Sequence, residues 1–176
     1  MTKTIPEPIF PWLSRSLLTC VLAGACGMAA ASPDQDKLRL LSCEMPSAAG
    51  RKEAVDWFNA TSQTLERDAG HRIAGPIRLG KACLQDVTVA GGFGMVMVQG
   101  DICNTRLEDF TEALAAAGTV LGTDAEAGRP EVVLGMHDAN RGYQVTRGRM
   151  DPRTGKFQPG ATPYAFTCMA AEGGPQ

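Results

Sequence analysis

The chain has 176 residues, with 17 Lys or Arg against 19 Asp or Glu and a formal charge of −2. So weakly acidic a chain lacks the basic footprint that a general nucleic-acid binder needs. Beyond one N-terminal stretch, no apolar run approaches the length of a membrane helix.

That first stretch, residues 1–31, reads as an export signal. Lys3 and Arg15 supply positive charge, residues 16–25 form an apolar run too short to span a bilayer, and Ala29-Ala30-Ala31 offers the small side chains a signal peptidase accepts. A second processing route competes with it. Leu22-Ala23-Gly24-Ala25-Cys26 resembles a permissive bacterial lipobox, in which Cys26 is lipidated and becomes the mature N-terminus. The expected address is the periplasm, or a lipid anchor on the bacterial envelope by the second route. Losing Lys3, Arg15 and Glu7 leaves 15 basic and 18 acidic side chains, a net charge of −3 on about 145 residues. That is one ordinary domain, expected over 32–171, with 172–176 as a frayed tail.

Within the domain, residues 32–37 read as a polar lead-in. A first strand is expected over 38–44, ended by Pro46. A helix follows from about 50 to 68, with Ala54, Phe58, Thr61 and Leu65 on one face, Trp57 widening the stripe and Gly70 closing it. Asn59-Ala60-Thr61 matches a glycosylation sequon but falls inside this helix. Residues 77–103 then read as a hairpin around Gly91-Gly92-Phe93-Gly94, where Gly91 and Gly92 can take a positive φ. Its first arm alternates apolar residues. Its second arm, Met95-Val96-Met97-Val98, is apolar on both faces, as a covered central strand would be.

Thr105 and Glu108 are spaced as a capping box for a second helix, whose face is Leu107, Phe110 and Leu114 and which ends near Gly118. A polar loop over 122–130 leads to a strand over 131–136, a turn over 137–142 and a strand over 143–150. A Gly- and Pro-rich loop fills 151–163, and 164–169 is the last strand. The order suggests an α+β domain of about six strands and two helices, with a split βαβ, ferredoxin-like sandwich as the first topology to test.

Of six cysteines, Cys20 and Cys26 fall in the signal. The other four are even in number, widely spaced and follow an export signal, which points to two disulfides. The favoured pairing is Cys83 with Cys103 across the hairpin and Cys43 with Cys168 between the first and last strands; Cys43–Cys103 with Cys83–Cys168 is the main competitor. There is no C-x-x-C for a zinc or redox centre. Phosphate-binding loops, H-E-x-x-H and G-x-S-x-G are also missing, and no cofactor is expected. His71 reads as a solvated loop residue. Glu44, Asp86, Asp101 and Asp138 are scattered along the chain. His137 next to Asp138 is the one dipeptide that offers acid/base chemistry, for a small periplasmic hydrolase.

The reading preferred over that hydrolase is a non-catalytic binding protein of the envelope, of the inhibitor or immunity type. A lipoprotein accessory of an envelope assembly is the other alternative. The basic run Arg141, Arg147, Arg149, Arg153 and Lys156, against Asp151 alone, suits a protein partner or an anionic envelope polymer. The contact surface is expected at His137, Asp138, Asn140, Arg141, Tyr143, Arg147 and Arg149, where a polar turn meets a strand carrying tyrosine and arginine. The same arginines also suit a solvated edge strand.

Overall fold

Ser32, Pro33 and Gln35 begin a helix where a lead-in and a strand were expected. The computed structural model describes residues 32–65, 70–92, 94–123, 131–151, 154 and 156–171. The chain divides into Met1–Ala30 and Ala31–Gln176, and the described residues belong to the second unit. The expected export signal with Cys26, the expected tail 172–176, Phe93, residues 124–130 and Arg153 lie outside the described residues.

The first helix, α1, is Pro33–Leu41. The Ser32 hydroxyl accepts the Gln35 N–H at 3.3 Å while Gln35 Oε1 accepts the Ser32 N–H at 2.9 Å, a reciprocal cap. Pro33 sits at the first position, where its missing N–H costs nothing, and Asp34 and Asp36 complement the N-terminal dipole. Leu38 and Leu41, three apart, share the buried face at 2% and 1% exposure. The chain leaves α1 through Cys43, at φ 55°, so Cys43 lies in a turn and not in a strand.

Asp36 is buried and accepts the Ser47 N–H at 2.7 Å and the Ser47 hydroxyl at 2.8 Å. Gly50 passes so close that a Cβ there would fall 1.8 Å from Asp36 Oδ2. This clamp sets α2 (Arg51–Thr61) against α1. Helix α2 stops well before residue 68, because Ser62 turns extended and starts β1 (Gln63–Thr64). Gly70 therefore caps no helix. Its φ of 115° admits the chain to β2 (His71–Ile73).

The expected hairpin forms, with one more turn. Gly80, at φ 60°, splits its first arm into β3 (Ile77–Leu79) and β4 (Ala82–Gly92). Strand β5 (Met95–Ile102) returns, with Gly91 opposite Val96 and Gly92 opposite Met95. Among the described residues of this turn, Gly94 has the positive φ, while Gly91 and Gly92 stay in the strand. Helix α3 (Leu107–Ala116) buries Phe110 and Leu114 as its spacing requires, but Arg106 is its N-cap and makes no side-chain capping bond, so the Thr105–Glu108 box does not form.

Next come β6 (Val132–His137) and β7 (Arg141–Thr146). Gly148, at φ 86°, breaks the strand expected over 143–150, since a Cβ there would meet Gln158 O at 2.4 Å. Strand β8 (Arg149–Met150) then pairs with β9 (Phe157–Gln158), inside the stretch expected as loop. Strand β10 (Tyr164–Ala171) ends the fold.

The main sheet has eight strands in the order β1-β2-β4-β5-β10-β7-β6, with β3 also on β4. All its named pairings are antiparallel. The α+β class and the disulfide staples stand; the split βαβ sandwich of six strands and two helices does not. A βαβ crossover joins parallel neighbours, and no such pair occurs among the described strands. The last strand instead enters the middle of the sheet, between β5 and β7.

The helices cover one face. Leu38, Leu41, Phe110 and Leu114 pack on Leu84, Val87, Val98, Ile102, Tyr143, Val145 and Phe166. Of the two disulfides, Cys43–Cys168 ties the turn after α1 to β10 beneath this layer, and Cys83–Cys103 ties β4 to the residue that follows β5. Phe166 faces Gly100 across the β10–β5 pair, and its Cε1 lies 2.8 Å from where a Gly100 Cβ would be. Gly100 thus gives the ring its space beside Tyr143, stacked at 5.9 Å, and Phe110 at 6.2 Å.

Candidate functional site

Among the described residues, the second sheet face is covered at one end and bare at the other. At the covered end, the row Thr146, Ala165 and Asp101 is 3%, 2% and 4% exposed; Thr146 Oγ1 donates to Gly148 O at 2.8 Å and Arg149 of β8 reaches Asp101. Four residues further along β10, Met169 is 43% exposed and Met95 on β5 is 49% exposed. Alternation explains the choice of side chains: Phe166 and Cys168 point to the helices, so Ala165, Thr167, Met169 and Ala171 point the other way. Over the bare end lies a cleft of ≈ 580 Å³, whose lining includes Met95, Gly135, His137, Gln144, Thr167 and Met169.

The turn at its rim is built by Asp138. Asp138 Oδ1 accepts the Asn140 N–H at 2.9 Å and the Arg141 N–H at 2.8 Å, and the Asp138 N–H donates to Arg141 O at 2.9 Å. These N–H bonds hold the carboxyl below its usual range, the Asn140 bond most of all. Asp138 is thereby the fastener of the turn. His137 and Asn140 are exposed on either side of it.

The other proposed contact residues separate. Arg141 points to the helix layer, its side chain only 13% exposed, with Nη1 at 3.2 Å from Glu44 Oε2 and 3.3 Å from Thr119 Oγ1. Thr119 in turn donates to Glu44 Oε2 at 2.8 Å. Tyr143 is 1% exposed in the core, where burial pushes its phenol up in pKa. Both are corrections to the expected surface. Arg141, Tyr143 and Val145 share a strand parity, and that parity belongs to the face the helices cover. Arg147 is exposed. Arg149, beyond the Gly148 kink, turns inward: it donates to the Asp86 carbonyl, and its Nε lies 3.9 Å from Asp101 Oδ1.

Asp101 and Arg149 form a poorly matched pair. Among the described residues, neither Asp101 Oδ1 nor Arg149 Nε has a hydrogen-bond partner. Burial lifts the Asp101 carboxyl above its usual range; Arg149 opposes that shift and Asp86 adds to it. Asp86 itself, at φ 49° in the β4 bulge, binds Arg72 at 2.6 Å.

The remaining candidates stay apart. Glu44 belongs to the Arg141 cluster, and His71 packs edge-on against Phe58 at 5.7 Å, so it is not a solvated loop residue. Among the described residues, no three His, Cys, Asp or Glu side chains are placed to hold a metal ion, and no helix is long and apolar enough to cross a membrane. Sequence reasoning missed the cleft's Gln144, Thr167 and Met169. Strand alternation pairs them off from the core residues, but only the placement of β10 beside β7 brings them to His137. No family model, curated protein or solved structure matches the chain.

Proposed function

We propose that this chain is an exported, non-catalytic binding protein of the bacterial envelope, of the inhibitor or immunity type, and that it meets a protein partner on the bare end of its sheet. The observation that carries this reading is the cleft beside the Asp138 turn, where a sheet face covered elsewhere is left open between polar groups on a rigid strand pair. Two disulfides are compatible with export. A protein partner is preferred to an anionic polymer because Arg141 and Arg149 are already engaged with carboxylates, leaving Arg147 and Lys156 exposed.

Two measurements test it. The intact mass of protein recovered from the envelope distinguishes cleavage before Ser32 from lipidation of Cys26; an unprocessed Met1 overturns export. Affinity capture from envelope extract is then run with the native chain and with Met169→Arg, whose melting temperature is expected to match. One protein captured at a fixed ratio by the native chain and lost with Met169→Arg supports the reading. Capture that is indifferent to Met169→Arg, or co-purification of a whole membrane assembly, overturns the surface or the role. Turnover of an envelope substrate that vanishes in His137→Ala establishes the hydrolase instead. The double change of Arg147 and Arg149 to alanine is a poor probe, because Arg149 holds Asp86 and faces Asp101; Arg147→Ala alone reports on rim charge.

A further inference from the structure

The bare face also carries a row of side chains, His137 and Met169 of the partner cleft among them, whose ligand chemistry the partner reading leaves aside. His137 on β6 pairs with Gly142 on β7, Gly142 pairs with Met169 on β10, and Met169 pairs with Met97 on β5. Directly opposed residues in antiparallel strands point to the same face, so His137, Met169 and Met97 stand in one line across four strands. Met95 follows in the next row of the same face, opposite Ala171. We propose that this row is a binding site for a soft monovalent cation, Cu(I), held by the thioethers of Met97 and Met169 and the imidazole of His137, with Met95 within reach as a further thioether.

Geometry supports convergence. Strands lie about 4.8 Å apart, so Met97 and Met169 are immediate neighbours and His137 is about 10 Å from Met169, with a glycine between. Gly142 leaves that interval unfilled. His137 Nδ1 lies 3.4 Å from where a Gly142 Cβ would stand, so the ring leans over the glycine. Met95, His137 and Met169 line one cleft. A methionine side chain, unbranched and turning about three bonds, can bring its sulfur over the same gap.

Chemistry selects the ion. Thioether sulfur is a soft, neutral donor that suits Cu(I), and imidazole completes such a set. The hard cations Mg²⁺, Ca²⁺ and Mn²⁺ require oxygen ligands, and the carboxylate in this cleft, Asp138, is taken up by the backbone of its own turn. A zinc site would call for thiolates or more imidazoles, and Cys43, Cys83, Cys103 and Cys168 are all in disulfides. An uncharged donor set leaves a monovalent ion with the least charge to bury. Binding is simple ligation: no electron is transferred and no bond in the protein breaks.

The inference is independent of the protein partner, since metal titration and affinity capture can succeed or fail separately. The test uses the exported chain with both disulfides verified and any other thiol alkylated. Cu(I) is supplied without oxygen from a chromogenic chelator, and Ag(I) serves as a redox-inert probe for NMR. The expected result is one Cu(I) withdrawn per chain. One equivalent of Ag(I) should shift the methyl signals of Met97 and Met169 and the ring signals of His137, while Zn(II) shifts none. Met97→Leu, Met169→Leu and His137→Ala should each lower the affinity more than about tenfold, as even supporting residues around metals do, with melting temperatures unchanged. Unshifted methionine signals at one equivalent, or an affinity indifferent to the two leucine variants, would overturn the site.

Discussion

The same device appears on both faces of the sheet with opposite outcomes. On the helix-covered face, the Phe166 ring lies against Gly100 on the neighbouring strand. On the other face, the His137 ring leans over Gly142, again directly across a strand pair. Gly100 is buried on the helix side of the sheet and Phe166 is 1% exposed, whereas His137 is open to solvent. A glycine under a ring is thus a packing solution where a helix closes the layer and an unfilled gap where nothing does. The pairing is the same, but the covering layer decides whether it stabilises the fold or leaves room for a ligand.

The largest expected difference concerns the two disulfides. Cys43–Cys168 spans 125 residues of sequence and joins α1 to the central strand, whereas Cys83–Cys103 spans 20. Replacing the first pair by alanine should cost about 5 kcal/mol and the second about 3, because the longer loop regains more freedom when unfolded. Paired urea titrations of the two variants measure this. Equal losses would mean that strand pairing in the denatured state, and not loop length, sets the value of each disulfide.

The glycine comparison can be broken directly. Gly100→Ala places a methyl against Phe166 and Val87 Cγ2, the latter at 3.0 Å, and should cost about 1–3 kcal/mol by overpacking. Gly142→Ala meets only the exposed ring of His137, with Nδ1 at 3.4 Å, and should change stability by less than about 0.5 kcal/mol. Thermal melts of the two alanine variants decide the matter. If Gly142→Ala destabilises as strongly as Gly100→Ala, the bare face is more tightly ordered than its exposure implies.

The smallest effect is a pH dependence. Burial holds Asp101 above the ordinary carboxylate range, so the folded state binds this proton more tightly than the unfolded chain does. Its contribution is fully present below the unfolded value and is lost as pH rises through the folded one. Asp101→Asn should therefore leave the protein no less stable at pH 7, and should flatten the fall in stability as pH rises out of the acid range. A steeper fall in the variant, followed by denaturant midpoints from pH 3 to 7, would show that the 3.9 Å contact with Arg149 outweighs desolvation.

Legibility followed the range of the interactions. The face of α3 was readable because Leu107, Phe110 and Leu114 keep helical spacing over an uninterrupted run. The favoured cysteine pairs are those the structure joins, although Cys43 sits in a turn and its partner strand is central. The mistake at 38–44 had a local cause. Leu38, Leu40, Leu41 and Cys43 fit either period over so short a stretch, and the deciding signal lay upstream in Ser32, Pro33 and Gln35. At the site, parity correctly grouped Arg141, Tyr143 and Val145, but parity does not say which face a helix will cover. It also fails at Gly148, whose positive φ turns Arg149 away from the line of Arg147.

By itself the amino-acid sequence determined the apolar stripe of α3, the β4–β5 hairpin and the alternation that sorts β7 and β10 into two sets of side chains. These depend on neighbours a few residues apart, where chain geometry fixes spacing. Only the tertiary structure decided that β10 enters between β5 and β7, that α1 and α3 cover one face, and that Arg149 of β8 turns onto Asp101 on the other. Those choices depend on which apolar surfaces meet between segments far apart in the chain, and they left His137, Met169 and Met97 aligned on open ground.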